Sequence, residues 1–112
     1  MTSGLRTVIY PVTDLARAKA LFTTLLGAEP VMDAPYYVQF SVDGQDVGLD
    51  PQGHRHGGPV GYWHVDDVRK TVEQLSTAGA ETVEEPHDVG GGMLVALLKD
   101  ADGNLVGLRQ AP

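Results

Sequence analysis

Four histidines and no cysteine set the chemistry this chain can attempt. Without cysteine there are no disulfides, no thiolate metal sites and no thiol nucleophiles. His54 and His56 stand two apart in "HRH" and could clip a metal ion. No third ligand lies near them in sequence, and glycine and proline surround them, so a solvated linker is expected. His64 is the strongest single candidate for catalysis. Its imidazole could donate a hydrogen bond or act as acid or base near neutral pH. The competing reading is a satisfied structural histidine. Gly90-Gly91-Gly92 could gate a pocket or simply form a wide turn, and Glu84-Glu85 reads as the solvated end of a strand. No phosphate loop, nucleophile elbow or pair of acids with catalytic spacing is visible.

The elements that would position these residues come from a repeat. Residues 12–28, "VTDLARAKALFTTLLGA", match residues 65–80, "VDDVRKTVEQLSTAGA". Val12 aligns with Val65, Asp14 with Asp67 and Leu15 with Val68. Leu15, Ala18, Phe22, Leu25 and Leu26 fall on one stripe at helical spacing, as do Val68, Val72, Leu75 and Ala78. Helices are expected over 14–26 and 67–78. Thr13 or Asp14, and Asp66 or Asp67, can cap their starts, while Gly27 and Gly79 can end them in the left-handed conformation.

The repeat continues downstream. Asp43-Gly44 matches Asp102-Gly103, and Val47-Gly48-Leu49 matches Val106-Gly107-Leu108. Asp-Gly is a tight-turn signal, and "YYVQFSV"/"DVGLD" and "MLVALLK"/"NLVGLRQ" flank it as strands. Further strands are expected at "TVIYPV" and "VGYWHV", with short ones near "EPVM" and "ETVEE". Each half therefore reads βαβββ: residues 1–52 form one module, 53–59 a Gly/Pro-rich linker and 60–112 the second. The fold class is α+β, a single domain whose two modules form a curved, incomplete mixed sheet around a concave pocket.

Composition agrees with this. The 112 residues suit one small domain, and 42% are hydrophobic, too many for a disordered chain. A formal charge of -7 repels phosphate backbones, so nucleic acid is not an expected partner. No apolar run is long enough to span a membrane, and "MTSGLRTVIYPV" lacks the features of a signal peptide, which makes a cytoplasmic protein the expectation.

Strand alternation sorts the side chains. Val38, Phe40 and Val42 would face the first helix, leaving Tyr37, Gln39 and Ser41 in the concavity. Gly61, Trp63 and Val65 would face the second, with Trp63 in the core, leaving Val60, Tyr62 and His64 in the concavity. Ala96 and Leu98 would line it too. Asp50 shares the face of Gly48, and Arg109 that of Gly107. Tyr37, Gln39, Tyr62, His64 and Arg109 form the candidate ligand-binding set, a mixture of aromatic and polar groups that suits a small organic ligand.

Paired βαβββ modules, with Val-Thr-Asp-Leu at 12–15 and Asp-Ala-Asp-Gly-Asn-Leu at 100–105, resemble the vicinal oxygen chelate superfamily of glyoxalases, bleomycin-resistance proteins and extradiol dioxygenases. Ala101 stands where that motif usually has proline. The resemblance covers nearly the whole chain and implies metal ligands on the first and last strand of each module. The matching positions here are Thr7, Val60, Gly48 and Gly107, none of them a useful ligand. Gly48 and Gly107 either leave space where a ligand would stand or are strand glycines that allow close packing.

The expectation is a small-molecule-binding protein of the sequestration or resistance type, with no metal and no cofactor. The alternative is an enzyme: a glyoxalase-like lyase or dioxygenase with displaced ligands, or an acid–base isomerase using His64. A third reading is a non-catalytic interaction module. Exposed sheet edges and an open concavity, together with the habit of the resembling superfamily, point to a homodimer.

Overall fold

The computed structural model describes residues 2–52 and 58–112, with Ser3 described by its backbone alone. His54 and His56, and most of the linker expected over 53–59, lie outside the described residues. The chain divides into two compact units: Arg6–Val60, and Gly61–Pro112 together with the first residues up to Leu5.

The first βαβββ series is β1 (Thr2–Pro11), α1 (Leu15–Leu26), β2 (Met32–Ala34), β3 (Tyr37–Val42) and β4 (Gln45–Asp50). Its strand order is β2-β3-β4-β1, with β1 and β4 parallel and the other neighbours antiparallel. The second series is β5 (Val60–Val65), α2 (Val68–Thr77), β6 (Glu81–Asp88), β7 (Leu94–Lys99) and β8 (Leu105–Gln110). Its order is β5-β8-β7-β6, again with one parallel pair, β5 and β8. The class is α+β, and each series forms an open mixed sheet, with β2 at an edge of the first and β6 at an edge of the second.

Each helix begins where a carboxylate can take an orphan N–H. Asp14 accepts from the Arg17 amide at 3.0 Å and Asp67 from the Lys70 amide at 3.1 Å. Such caps contribute about 1 kcal/mol each. Gly27 ends α1 at φ 64°. In α2 the cap is Ala78, in right-handed geometry, and the left-handed step falls one residue later, at Gly79 with φ 110°. Helix α2 receives a further acceptor at its start: Gln110, at the end of β8, takes the Val68 N–H at 2.7 Å.

The cores sit between each helix and its own strands. Leu15, Ala18, Phe22 and Leu26 pack on Val38, Phe40 and Leu49. Leu25 does not join them and is 70% exposed, because it falls at the margin of the stripe, one turn along from the equally unburied Leu21. Val68 and Val72 pack on Val65, Ala96, Leu98 and Leu108, with Leu75, Ala80 and Leu94 around them. Ala78, expected on this stripe, is exposed.

Two strand faces differ from expectation. Ala96 and Leu98 face α2, so Val95 and Leu97 take the opposite face. The cause is the hairpin. In the first module Val42 pairs with Gln45 across a two-residue turn, Asp43 (φ 50°) and Gly44 (φ 81°). In the second, Lys99 pairs with Leu105 across five residues. The lengths differ by an odd number, and a one-residue offset inverts every side chain of a strand. Trp63 is in register with the core residue Leu108 but is 41% exposed, so it is not a core residue. The short strand expected near "EPVM" begins at Met32, after Val31 has donated to the Gln39 carbonyl. The one near "ETVEE" runs on to Asp88, with register shifts between Thr82 and Glu84 and between Glu84 and His87.

Candidate functional site

In the first unit, the face away from α1 carries Thr7, Ile9, Tyr37, Gln39, Gly48 and Asp50, as the register fixes: Ile9 and Gln39 both pair with Gly48. Tyr37 and Gln39, two residues apart on β3, therefore share a face, and the Tyr37 hydroxyl donates to Gln39 Oε1 at 3.1 Å. The Asp50 carboxylate accepts from the Gln52 amide at 2.8 Å.

In the second unit, the face away from α2 is organised in two rows across the strands. One row is Tyr62, Gly107, Leu97 and Glu84; the other is His64, Arg109, Val95 and His87. Tyr62, His64 and Arg109 are each half-buried. Arg109 is engaged in interactions of its own, while its Nε is buried and makes no hydrogen bond. Glu84 and His87 enter this face because the irregular pairing of β6 sets residues three apart on one side; their Oε1 and Nε2 atoms are 4.0 Å apart. Sequence alternation could not have found this pair, since no periodicity signals a bulge.

The sequence-derived candidates thus fall into two groups by unit: Tyr37 with Gln39, and Tyr62 with His64 and Arg109. The β6–β7 turn holds the three glycines at φ 123°, 62° and 85°, with Val89 N–H on the Met93 carbonyl and Met93 N–H on that of Gly90. A separate crevice of about 490 Å³ lies on the helix side of the first unit. Leu15, Ala16, Ala34, Pro35 and Val38 line it, and Lys19 and Asp33 form an ion pair at its wall. It contains none of the candidate residues.

The two strand glycines decide whether a metal of the expected kind fits. A Cβ on Gly48 would lie 2.1 Å from the Tyr37 hydroxyl and 2.6 Å from Ile9 Cδ1. A Cβ on Gly107 would lie 2.6 Å from the Tyr62 ring and 2.8 Å from the Gly61 carbonyl oxygen. These places are therefore filled, by Tyr37 and by Tyr62, and the packing reading of the glycines holds over the vacant-space reading. Thr7 and Val60 complete the set of four matching positions, and none of the four offers an imidazole or a carboxylate. Among the described residues, no group of three or more His, Asp or Glu side chains is arranged to hold a metal ion. These residues do not fit the superfamily's metal.

The fold has many solved counterparts. Methylmalonyl-CoA epimerase from Mycobacterium tuberculosis superposes with a TM-score of 0.80 at 19% identity, over 99% of this chain and 89% of that one. A glyoxalase/bleomycin resistance protein/dioxygenase superfamily member from Vibrio splendidus 12B01 gives 0.72 at 21%, over 95% and 97%. The Mn(II)-bound glyoxalase from Novosphingobium aromaticivorans gives 0.73 at 23%, over 97% of this chain and 39% of that one. No curated relative matches the sequence. Among the described residues, no helix is long and apolar enough to cross a membrane. With its paired βαβββ series and a family match running from residue 4 to residue 108, the chain belongs to the Glyoxalase/Bleomycin resistance protein/Dioxygenase superfamily.

Proposed function

We propose that this protein binds a small organic ligand on the helix-free faces of its sheet, without a resident metal, in the manner of a sequestration or resistance protein. Tyr37, Gln39, Tyr62, His64 and Arg109 are its binding residues. The observation that carries this reading is the filling of both glycine positions by tyrosine: aromatic and polar recognition groups stand where metal ligands would begin. Such a surface, mixing aromatic, aliphatic and polar groups, suits a small molecule. The test is metal content of the purified protein, followed by titration with nickel, zinc, manganese and iron(II). The expected result is no tight stoichiometric binding of any of them. One tightly bound equivalent would overturn the metal-free reading.

His64, beside Arg109 in register and half-buried, supports a second reading as an acid–base enzyme. Under it, His64→Gln abolishes turnover of a substrate that the variant still binds. We also propose a cytoplasmic homodimer. Val31, Met32 and Tyr36 are exposed beside the edge strand β2, and a second copy would cover such an edge. A strictly monomeric mass by light scattering at micromolar concentration would reject it.

A further inference from the structure

We propose that Gln39 acts toward the ligand as a hydrogen-bond donor, so that the ligand presents a neutral oxygen acceptor, a ketone or ester carbonyl, on an apolar body; this rests on the ligand-binding reading above. A primary amide offers an acceptor and two donors, and so selects little by itself. Here its acceptor is engaged. The Tyr37 hydroxyl donates to Gln39 Oε1 at 3.1 Å. The phenol reaches that position because Gly48 has no side chain, and its oxygen fills the space a Cβ would take. The NH2 group is what Gln39 has left to offer: among the described residues, none accepts from it. A half-buried donor pair disfavours a ligand that brings it no acceptor.

The neighbours define the rest of the ligand. Val38 and Phe40 turn into the core, so Gln39 lies on the opposite face, in register with Met32 on β2 and Gly48 on β4. Ile9 Cδ1 meets the Tyr37 hydroxyl over Gly48, and Met32 is 40% exposed. An apolar body fits between such groups. Charge decides between an acid and a neutral acceptor. Asp46 and Asp50 share the face of Gly48, and the positions in register with these three, Thr7, Ile9 and Pro11 on β1 and Gln39 and Ser41 on β3, supply no cation. A carboxylate ligand would meet like charge there, whereas a carbonyl oxygen would not.

The test uses the full chain and pairs of compounds that differ in the acceptor: acetophenone and α-methylstyrene, cyclohexanone and methylenecyclohexane. Binding is read from backbone amide chemical shifts. At least one ketone should shift residues 37–39 and 47–49 and bind about fivefold or more tightly than its alkene. Gln39→Met keeps the length of the side chain, removes the donors and should erase that preference. If it fails to fold, Gln39→Glu makes the same comparison, since a carboxylate has no N–H. The native chain should not prefer aniline to N,N-dimethylaniline, and Tyr37→Phe should, because the amide oxygen is then released to accept from a ligand. Alkenes that bind as well as ketones, or a preference that survives the loss of the donors, would overturn the donor assignment and leave the ligand-binding reading standing. So would a preference of the native chain for aniline, which would mean that the amide presents its oxygen, or no change in Tyr37→Phe. Benzoate binding this face more tightly than acetophenone would overturn the neutral acceptor. If none of the compounds shifts any residue of either helix-free face, both readings fall.

Discussion

The two βαβββ series share one element order and one strand order, yet they solve the same packing problem with different materials. The first core is aromatic: Tyr10, Phe22 and Phe40 run in a chain with centroids 5.1 and 6.4 Å apart, and no residue of α1 is fully buried. The second is aliphatic, and α2 buries Val68 and Val72 in it. The helix-free faces diverge further. One shows a phenol bonded to an amide; the other sets Arg109 in register with His64. A repeat therefore conserves where side chains point and leaves open what they are. The places where the two halves disagree are the places to look for function.

The largest expected contrast lies at the paired glycines. Gly107→Ala sets a methyl against both the Tyr62 ring and the Gly61 backbone oxygen, which cannot swing aside. It should cost about 3 kcal/mol in urea unfolding. Gly48→Ala meets the ends of two side chains, Tyr37 and Ile9, which can move. Its cost should be nearer 1 kcal/mol, chiefly the lost Tyr37–Gln39 hydrogen bond. Equal costs would break the comparison.

A smaller contrast concerns the helix starts. Asp14→Ala and Asp67→Ala should each cost about 1 kcal/mol. Gln110→Ala should cost about another 1 kcal/mol by leaving the Val68 N–H without its acceptor, and native-state hydrogen exchange should show the loss at the first turn of α2 alone.

The smallest concerns the two hairpins. In the longer one, Asp100 Oδ1 accepts from the amides of Asp102 and Asn104 at 3.0 and 2.8 Å, and Oδ2 from the Asn104 side chain at 3.0 Å. The Asn104 side-chain bond first, then the Asn104 amide, hold this carboxyl below its usual value of 3.8. A lowered folded value means that its contribution is present above the unfolded value and is lost as pH falls through the folded one. The group is exposed, so solvent screens the effect. Asp100→Asn should flatten the stability curve only below about pH 4, as followed by thermal melts.

Much of the fold was legible in the residues. The matched Val-x-Asp-Leu and Val-x-Asp-Val starts located both helices, and their capping aspartates stand where the spacing put them. Tyr37, Gln39, Tyr62, His64 and Arg109 fall on helix-free faces because the alternation of β3, β5 and β8 is uninterrupted. The face of β7 was misread because the turn after it holds five residues, not two; carrying Val38 and Phe40 across the repeat onto Ala96 and Leu98 would have corrected it. Glu84 and His87 were illegible because a bulge has no period. Nor could the sequence show that tyrosines occupy the space above Gly48 and Gly107, since that contact depends on how side chains lean between strands. Trp63 has core parity, but parity does not say where a helix ends its cover.

The bond from Val68 to Gln110 also carries a temporal meaning. Its partners are 42 residues apart, so the first turn of α2 gains its second acceptor only after the whole intervening hairpin has closed. Closing a long loop costs entropy before any contact repays it. The contact therefore belongs to the last stage of assembly, when β8 seats. Its loss should leave the refolding rate nearly unchanged and quicken unfolding, so that Gln110 acts as a latch on the lifetime of the native state.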